Sequence, residues 1–119
     1  MAAQSKRWIL EYIEHGLLSC TGRTVTSPDD LMRALEAVRK QGLACSKEEL
    51  VPGTGGLAVE VRDASGRVVG SLVLISPVLD LTDLSVQRWL PLLRSAVAAV
   101  SRLLASGWRE RFAQSQQYE

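Results

Sequence analysis

This sequence predicts an α+β fold, a small antiparallel sheet flanked by helices, and three observations carry that reading. Apolar residues recur at helical spacing in two early segments. A β-hairpin signature spans about residues 57–76, and a long amphipathic stripe follows it.

Trp8, Ile9, Tyr12, Ile13 and Leu17 make the first helical stripe, with Gly16 as its stop. Residues 18–26 read as a loop. A second helix is announced by Ser27-Pro28-Asp29-Asp30. Ser27 can cap orphan amides, Pro28 fits the first helical position, and the two acids suit the positive end of the dipole. Leu31, Ala34, Leu35 and Val38 form its apolar face; Arg33, Glu36, Arg39 and Lys40 point outward, and Gly42 ends it.

Residues 43–46 read as a short strand. Residues 47–56 read as a loop holding Glu48-Glu49 and the breakers Pro52, Gly53, Gly55 and Gly56. Leu57, Val59 and Val61 then alternate with Ala58, Glu60 and Arg62, the pattern of a half-buried strand. Asp63-Ala64-Ser65-Gly66 is turn chemistry. Residues 67–76 are almost wholly apolar, so this strand is expected to be central and covered on both faces. Thr82 can cap the closing helix, whose seam is Val86, Leu90, Leu93, Val97, Val100 and Leu104. Pro91 lies inside that seam and is expected to kink the helix or its entry. The chain divides into one domain over 1–107 and a polar tail over 108–119.

A length of 119 residues suits one domain. Fourteen basic residues are matched by thirteen acidic ones and are dispersed, giving a net charge of +1. DNA-binding domains draw affinity from phosphate neutralisation, so autonomous nucleic-acid binding is disfavoured. Cys20 and Cys45 form no CxxC pair, which argues against zinc and against a secreted disulfide framework. Lys6, Arg7, Glu11 and Glu14 interrupt the opening apolar stretch, so no signal peptide is expected. No uncharged apolar run reaches the roughly 18 residues of a membrane span. A soluble, cytoplasmic protein without metal or cofactor is the expectation. Two clear strands and one short one make a marginal sheet unless helices or a partner cover it. The outer edges of the hairpin would be templates for another chain.

An ordered set of motifs runs through about three quarters of the chain. It comprises residues 23–31, RTVTSPDDL, and the helix end Val38-Arg39-Lys40-Gln41-Gly42-Leu43-Ala44. Glu48-Glu49-Leu50-Val51-Pro52-Gly53, residues 57–63 (LAVEVRD), residues 66–72 (GRVVGSL), Ser76-Pro77 and Leu81-Thr82-Asp83 complete it. This order resembles the C-terminal part of the effector-binding domain of IclR-family transcriptional regulators, and residues 1–17 resemble its preceding helix, with Lys6 at the family's lysine position. The resemblance implies a truncated GAF-like domain that senses a small metabolite and oligomerises, and it implies no enzyme. In that family a winged helix-turn-helix precedes the domain and binds DNA. That part and the first strands have no counterpart in this sequence, so the chain reads as a fragment, a natural truncation or a reduced relative that does not contact DNA itself.

The resemblance also places four ligand positions, at Ser46, Gly56, Val73 and Ile75. Relatives that bind small oxo-acids carry there an acidic residue, a cysteine and two serines, so all four depart from the pattern. A carboxylate buried against Val73 and Ile75 would lose several kcal/mol of hydration without replacement donors. Glyoxylate-like acids are therefore not expected as ligands in the family manner. Two readings stay open: a pocket for an apolar or aromatic effector, or core residues that bind nothing.

Other candidates read as structural. His15 has no nucleophile partner, and a histidine at a helix end serves the dipole or faces solvent. Glu48-Glu49 reads as a solvated pair, and Gly53-Thr54-Gly55-Gly56 lacks the lysine and following helix of a phosphate loop. Trp8, Trp89 and Trp108 have no interleaved basic patch, which favours packing over base stacking. On the closing helix, Leu92, Ala96, Ala99 and Leu103 widen the stripe beyond the seam; either one side covers the sheet while the seam or its neighbour meets a second subunit, or both stripes lie in one monomer core. The competing function is a structural module for self-association or partner binding, with no small-molecule ligand.

Overall fold

Hydroxyl side chains start all three α-helices of the computed structural model, which describes residues 1–107. The tail read at 108–119, with Trp108, lies outside the described residues. Helix α1 spans Lys6–Glu14, and its Ser5 cap accepts from the Trp8 amide. Gly16, at φ +91°, supplies the left-handed residue that stops it. Helix α2 spans Pro28–Gln41 between Ser27, which accepts from the Asp30 amide, and Gly42, whose N–H donates to the Val38 carbonyl. Helix α3 spans Asp83–Ala105 behind the Thr82 cap and continues through Pro91 as one helix. The proline removes one donor there without ending the helix.

The strands β1 (Ala44–Lys47), β2 (Thr54–Arg62) and β3 (Val68–Pro77) form an antiparallel sheet in the order β1-β2-β3. The expected α+β architecture is therefore present, with the hairpin in place. Its turn is tied by Asp63, whose Oδ1 accepts from the Ser65 amide, the Ser65 hydroxyl and the Arg67 amide. A register shift at Val61/Arg62 bends the hairpin near that turn. A single 3-10 turn, Val78–Asp80, leads from β3 into α3.

Helix α3 covers one face of the sheet. Leu57, Val59, Leu81 and Leu93 form the buried cluster, and Leu43, Leu72, Val86, Trp89, Leu90 and Val97 pack around it. Leu57 has no exposed surface, a burial worth about 1.5–3 kcal/mol. Ile9 of α1 and Leu35 of α2 are also buried, as the apolar stripes of both helices require.

Two expectations are corrected. The apolar run at 67–76 is not a central strand covered on both faces: β2 is central, and β3 is an edge. Apolar periodicity reports which residues want burial, not which side a neighbour takes, and Val69, Val73 and Ile75 of β3 are left exposed. The second correction concerns Gly55 and Gly56, which lie inside β2 rather than in a loop. A Cβ on Gly55 would stand 2.7 Å from Leu81 Cδ2 and 3.1 Å from the Ser46 carbonyl oxygen. Glycine here permits close packing of chain on chain; it does not break the strand.

Candidate functional site

Directly opposed residues in a sheet share a face. Ser46 opposes Gly56, and Gly56 opposes Ile75, so three of the four candidate ligand positions form a single rung across all three strands. Val73 stands on the next rung of that face, opposite Ala58, which in turn opposes Ala44. The face is the one turned away from α3, since the buried Leu57 and Val59 alternate with these residues along β2.

Small residues make this face a shallow floor. A Cβ on Gly56 would meet Val73 Cγ1 at 3.5 Å, an ordinary contact, so the glycine leaves room without being sterically required. Val73 and Ile75 are 49% and 71% exposed, and Ser46 contributes the only hydroxyl of its rung. Such a floor favours an apolar or aromatic surface over a carboxylate, which needs several donors.

Toward the hairpin end the same face borders a broad cleft of about 1270 Å³. Ala44, Ala58, Glu60, Val69 and Ser71 belong to its floor, with Leu35 and Val38 of α2 and residues 1–4 opposite. Arg39 anchors that opposite wall: its Nε donates to the Ala2 carbonyl at 2.6 Å and its guanidinium also reaches the Gln4 carbonyl. None of Ser46, Gly56, Val73 or Ile75 lines this cleft. The structure thus gathers the four on one face but sets them at its open end.

A feature that sequence reasoning missed borders that end. Glu48 follows β1 in a left-handed conformation, φ +58°, uncommon for a residue with a side chain. It is held by contacts on every side. Its carboxylate accepts from the Gly53 amide at 2.9 Å and pairs with Arg23 at 3.3 Å, and its carbonyl accepts from the Thr21 hydroxyl at 2.6 Å. The Glu49 carbonyl accepts from the Thr24 hydroxyl. Glu48 is therefore not a solvated neighbour of Glu49. It clamps the 19–24 loop to the 48–53 loop beside Ser46. The signal was present as Thr21, Arg23 and Thr24, but their partners lie some 25 residues away in sequence.

The seam named as a candidate interface lies largely on the chain's own sheet. Leu93 is buried there, with Val86, Leu90 and Val97 packed beside it, while Val100 and Leu104 are half-buried farther along. The neighbouring stripe is the uncovered one: Leu92 and Leu103 are 69% and 59% exposed. Trp89 packs against the core cluster, and Trp8 stacks on Tyr12 with centroids 5.5 Å apart. His15 Nδ1 donates to the Glu11 carbonyl at 2.7 Å, satisfying the end of α1. Among the described residues no group of three or more His, Cys, Asp or Glu could hold a metal ion, and no helix is long and apolar enough to cross a membrane.

Comparison with known proteins accounts for this arrangement. The family model described as bacterial transcriptional regulator IclR C-terminal matches residues 1–102. The Pca regulon regulatory protein of Pseudomonas putida is 34% identical over 98 residues, covering 81% of this chain and 34% of that protein. The crystal structure of the C-terminal domain of Escherichia coli KdgR superposes with a TM-score of 0.79 at 28% identity, over 87% of this chain and 64% of that one. The inducer-binding domain of the PobR transcription factor from Acinetobacter, a double mutant in complex with 3-hydroxybenzoic acid, gives 0.78 at 27% identity, over 84% and 58%. This chain spans about a third of the length of the curated relatives it matches. Those relatives are transcriptional regulators, and the family is not an enzyme family, in keeping with the non-enzymatic reading of the sequence. The resemblance carried by the ordered motifs is thereby borne out: the chain belongs to the IclR family of bacterial transcriptional regulators, matching its C-terminal domain.

Proposed function

We propose that this chain is an effector-sensing and oligomerisation module of an IclR-type regulator, working in the cytoplasm, with DNA contact made by a different segment. The observation that carries the reading is the uncovered sheet face on which Ser46, Gly56, Ile75 and Val73 stand together. Its apolar floor suits an aromatic or aliphatic effector, and the similar PobR domain was solved with an aromatic acid. Coupling would follow from differential affinity: a ligand preferring one subunit arrangement shifts the population toward it and so moves attached DNA-binding segments. The near-balance of charge supports the absence of direct DNA contact by this chain.

Amide NMR titration with benzene-type neutral aromatics, and with 3-hydroxybenzoate as the carboxylate comparison expected to bind more weakly, tests the reading. Saturable shifts centred on residues 44–46, 56–58 and 73–75, abolished by Ala58→Trp, are the expected result. Shifts that never saturate, or that centre elsewhere, would overturn the effector assignment. A second reading, self-association without a ligand, is favoured by the exposed outer edge of β3.

A further inference from the structure

Three connecting segments distant in sequence meet around Glu48, and the ties between them are polar. The Glu48 carboxylate pairs with Arg23 at 3.3 Å and accepts from the Gly53 amide, while its carbonyl accepts from the Thr21 hydroxyl. Its own amide donates to the Thr54 carbonyl at 2.9 Å, closing the connection from β1 to β2. Gly53 extends the chain of contacts. Its carbonyl accepts from the Val78 amide at 2.8 Å, in the 3-10 turn that leads into α3. Neither the 18–24 loop nor the 48–53 loop contributes a side chain to the buried core. Segments held by hydrogen bonds and ion pairs, with few buried apolar contacts, open locally at a lower free energy than the whole fold. Glu48 is also the one non-glycine residue at positive φ among the described residues, a conformation that its Cβ disfavours. It keeps that conformation through its ties.

We propose that Glu48 is a positioning residue, the latch of a polar strap that fixes the end of β1 beside Ser46 and carries its state to the entry of α3. With the Arg23 pair closed, the carboxylate holds Gly53, and Gly53 holds Val78. With the pair open, Glu48 is free to leave the left-handed region. The chain then loses its fixed point two residues after Ser46, and the Val78 amide loses an anchored acceptor. One element with two arrangements thus touches both the Ser46 rung and the helix that covers the opposite face, which is what coupling between two places requires. The close-packed cluster around Leu57 offers no such second arrangement. This deepens the proposed function by naming the route of its coupling, and it rests on that reading for the ligand that would bias the strap. The strap itself is tested with no ligand present, so its failure is separate from that of the effector assignment.

Hydrogen exchange of individual amides, followed by NMR on the full chain, is the experiment. In Arg23→Ala the Glu48, Gly53 and Val78 amides should exchange about two- to five-fold faster, the weight of a largely exposed ion pair. Glu48→Gln keeps the shape and an acceptor for Gly53 but not the charge, and should speed the same three amides at least as much. Adding Arg23→Ala to Glu48→Gln should change nothing further, because both substitutions break one pair. Raising the salt concentration should speed these amides in the parent and leave them unaltered in both variants, a response that a merely space-filling glutamate would not give. The Ser65 and Arg67 amides of the other turn should keep their parental rates through both substitutions. Arg23 is 68% exposed, so its substitution reads the strap even where Glu48→Gln weakens folding. A Val78 amide at its parental rate while Gly53 quickens would confine Glu48 to its own loop and overturn the relay. Parental rates at all three amides would overturn the latch. Faster exchange throughout β2 as well would overturn the strap as an element that opens apart from the core.

Discussion

Gly56 and Leu57 are adjacent in β2 and live in different worlds. Leu57 has no exposed surface and shares the buried cluster under α3 with Val59, Leu81 and Leu93, whereas Gly56 faces the side away from that helix between Ser46 and Ile75. Along β3 both faces are largely apolar, so hydropathy of that strand alone does not separate them. What separates them is the seam of α3, which closes one face and leaves the other with valine and isoleucine in view. A core face is fixed by its neighbour, and an open face by the lack of one. The buried cluster therefore stands on the Leu57 side, and the proposed effector site on the Gly56 side.

The largest expected effect follows directly. Leu57→Ala removes a fully buried side chain from the centre of the cluster and should destabilise the fold by about 2–5 kcal/mol. Ile75→Ala, on the open face, should change stability by no more than about 0.5 kcal/mol. Urea unfolding of the two variants compares the faces. Equal losses would mean that the open face is packed in solution, and the division drawn from the helix seam would fail.

The glycines of β2 give a narrower version of the same contrast. Gly55→Ala drives a methyl to 2.7 Å from the buried Leu81 and 3.1 Å from the Ser46 carbonyl, and should cost about 1–3 kcal/mol. Gly56→Ala meets only ordinary contacts and should stay within about 1 kcal/mol of the parent, with a sign favoured by its lower unfolded-state entropy. Thermal unfolding would separate them. A neutral Gly55→Ala would show that Leu81 can yield, and with it the close approach of the 3-10 turn to β2.

The parts of this fold that were legible in the sequence are those set by local backbone chemistry. Ser27 with Pro28, Gly42, Thr82 and the Asp63–Gly66 turn each act within a few residues, so composition and spacing reveal them. The edge position of β3 was not legible, because an apolar strand reads alike whether its second face is covered or bare. Gly55 read as a breaker because its reason is Leu81, 26 positions later. Glu48 read as solvated because Thr21 and Arg23 reach it across a loop. The rung of Ser46, Gly56 and Ile75 came from family resemblance, since no periodicity aligns residues from three strands. Strand register supplied what spacing could not.

The smallest effect belongs to the turn that joins the two strands. The Ser65 hydroxyl, at 2.6 Å, is the main cause holding the Asp63 carboxyl below the usual aspartate range, with help from the Arg67 and Ser65 amides and the Arg67 charge against a partial opposing desolvation. A carboxylate whose folded pKa lies below its unfolded one contributes stability above the unfolded value and loses it as pH falls through the folded value. The turn is exposed and its ion pair screened, so the contribution is small. Asp63→Asn should accordingly lower stability by a constant amount near neutral pH, and the gap to the parent should close under acid. Denaturant titrations of both proteins down the acid limb measure it. A gap that widens as pH falls would mean that the turn is held by something other than the ionised carboxylate, and the hairpin's register would then have to be set by cross-strand pairing along the Leu57 face alone.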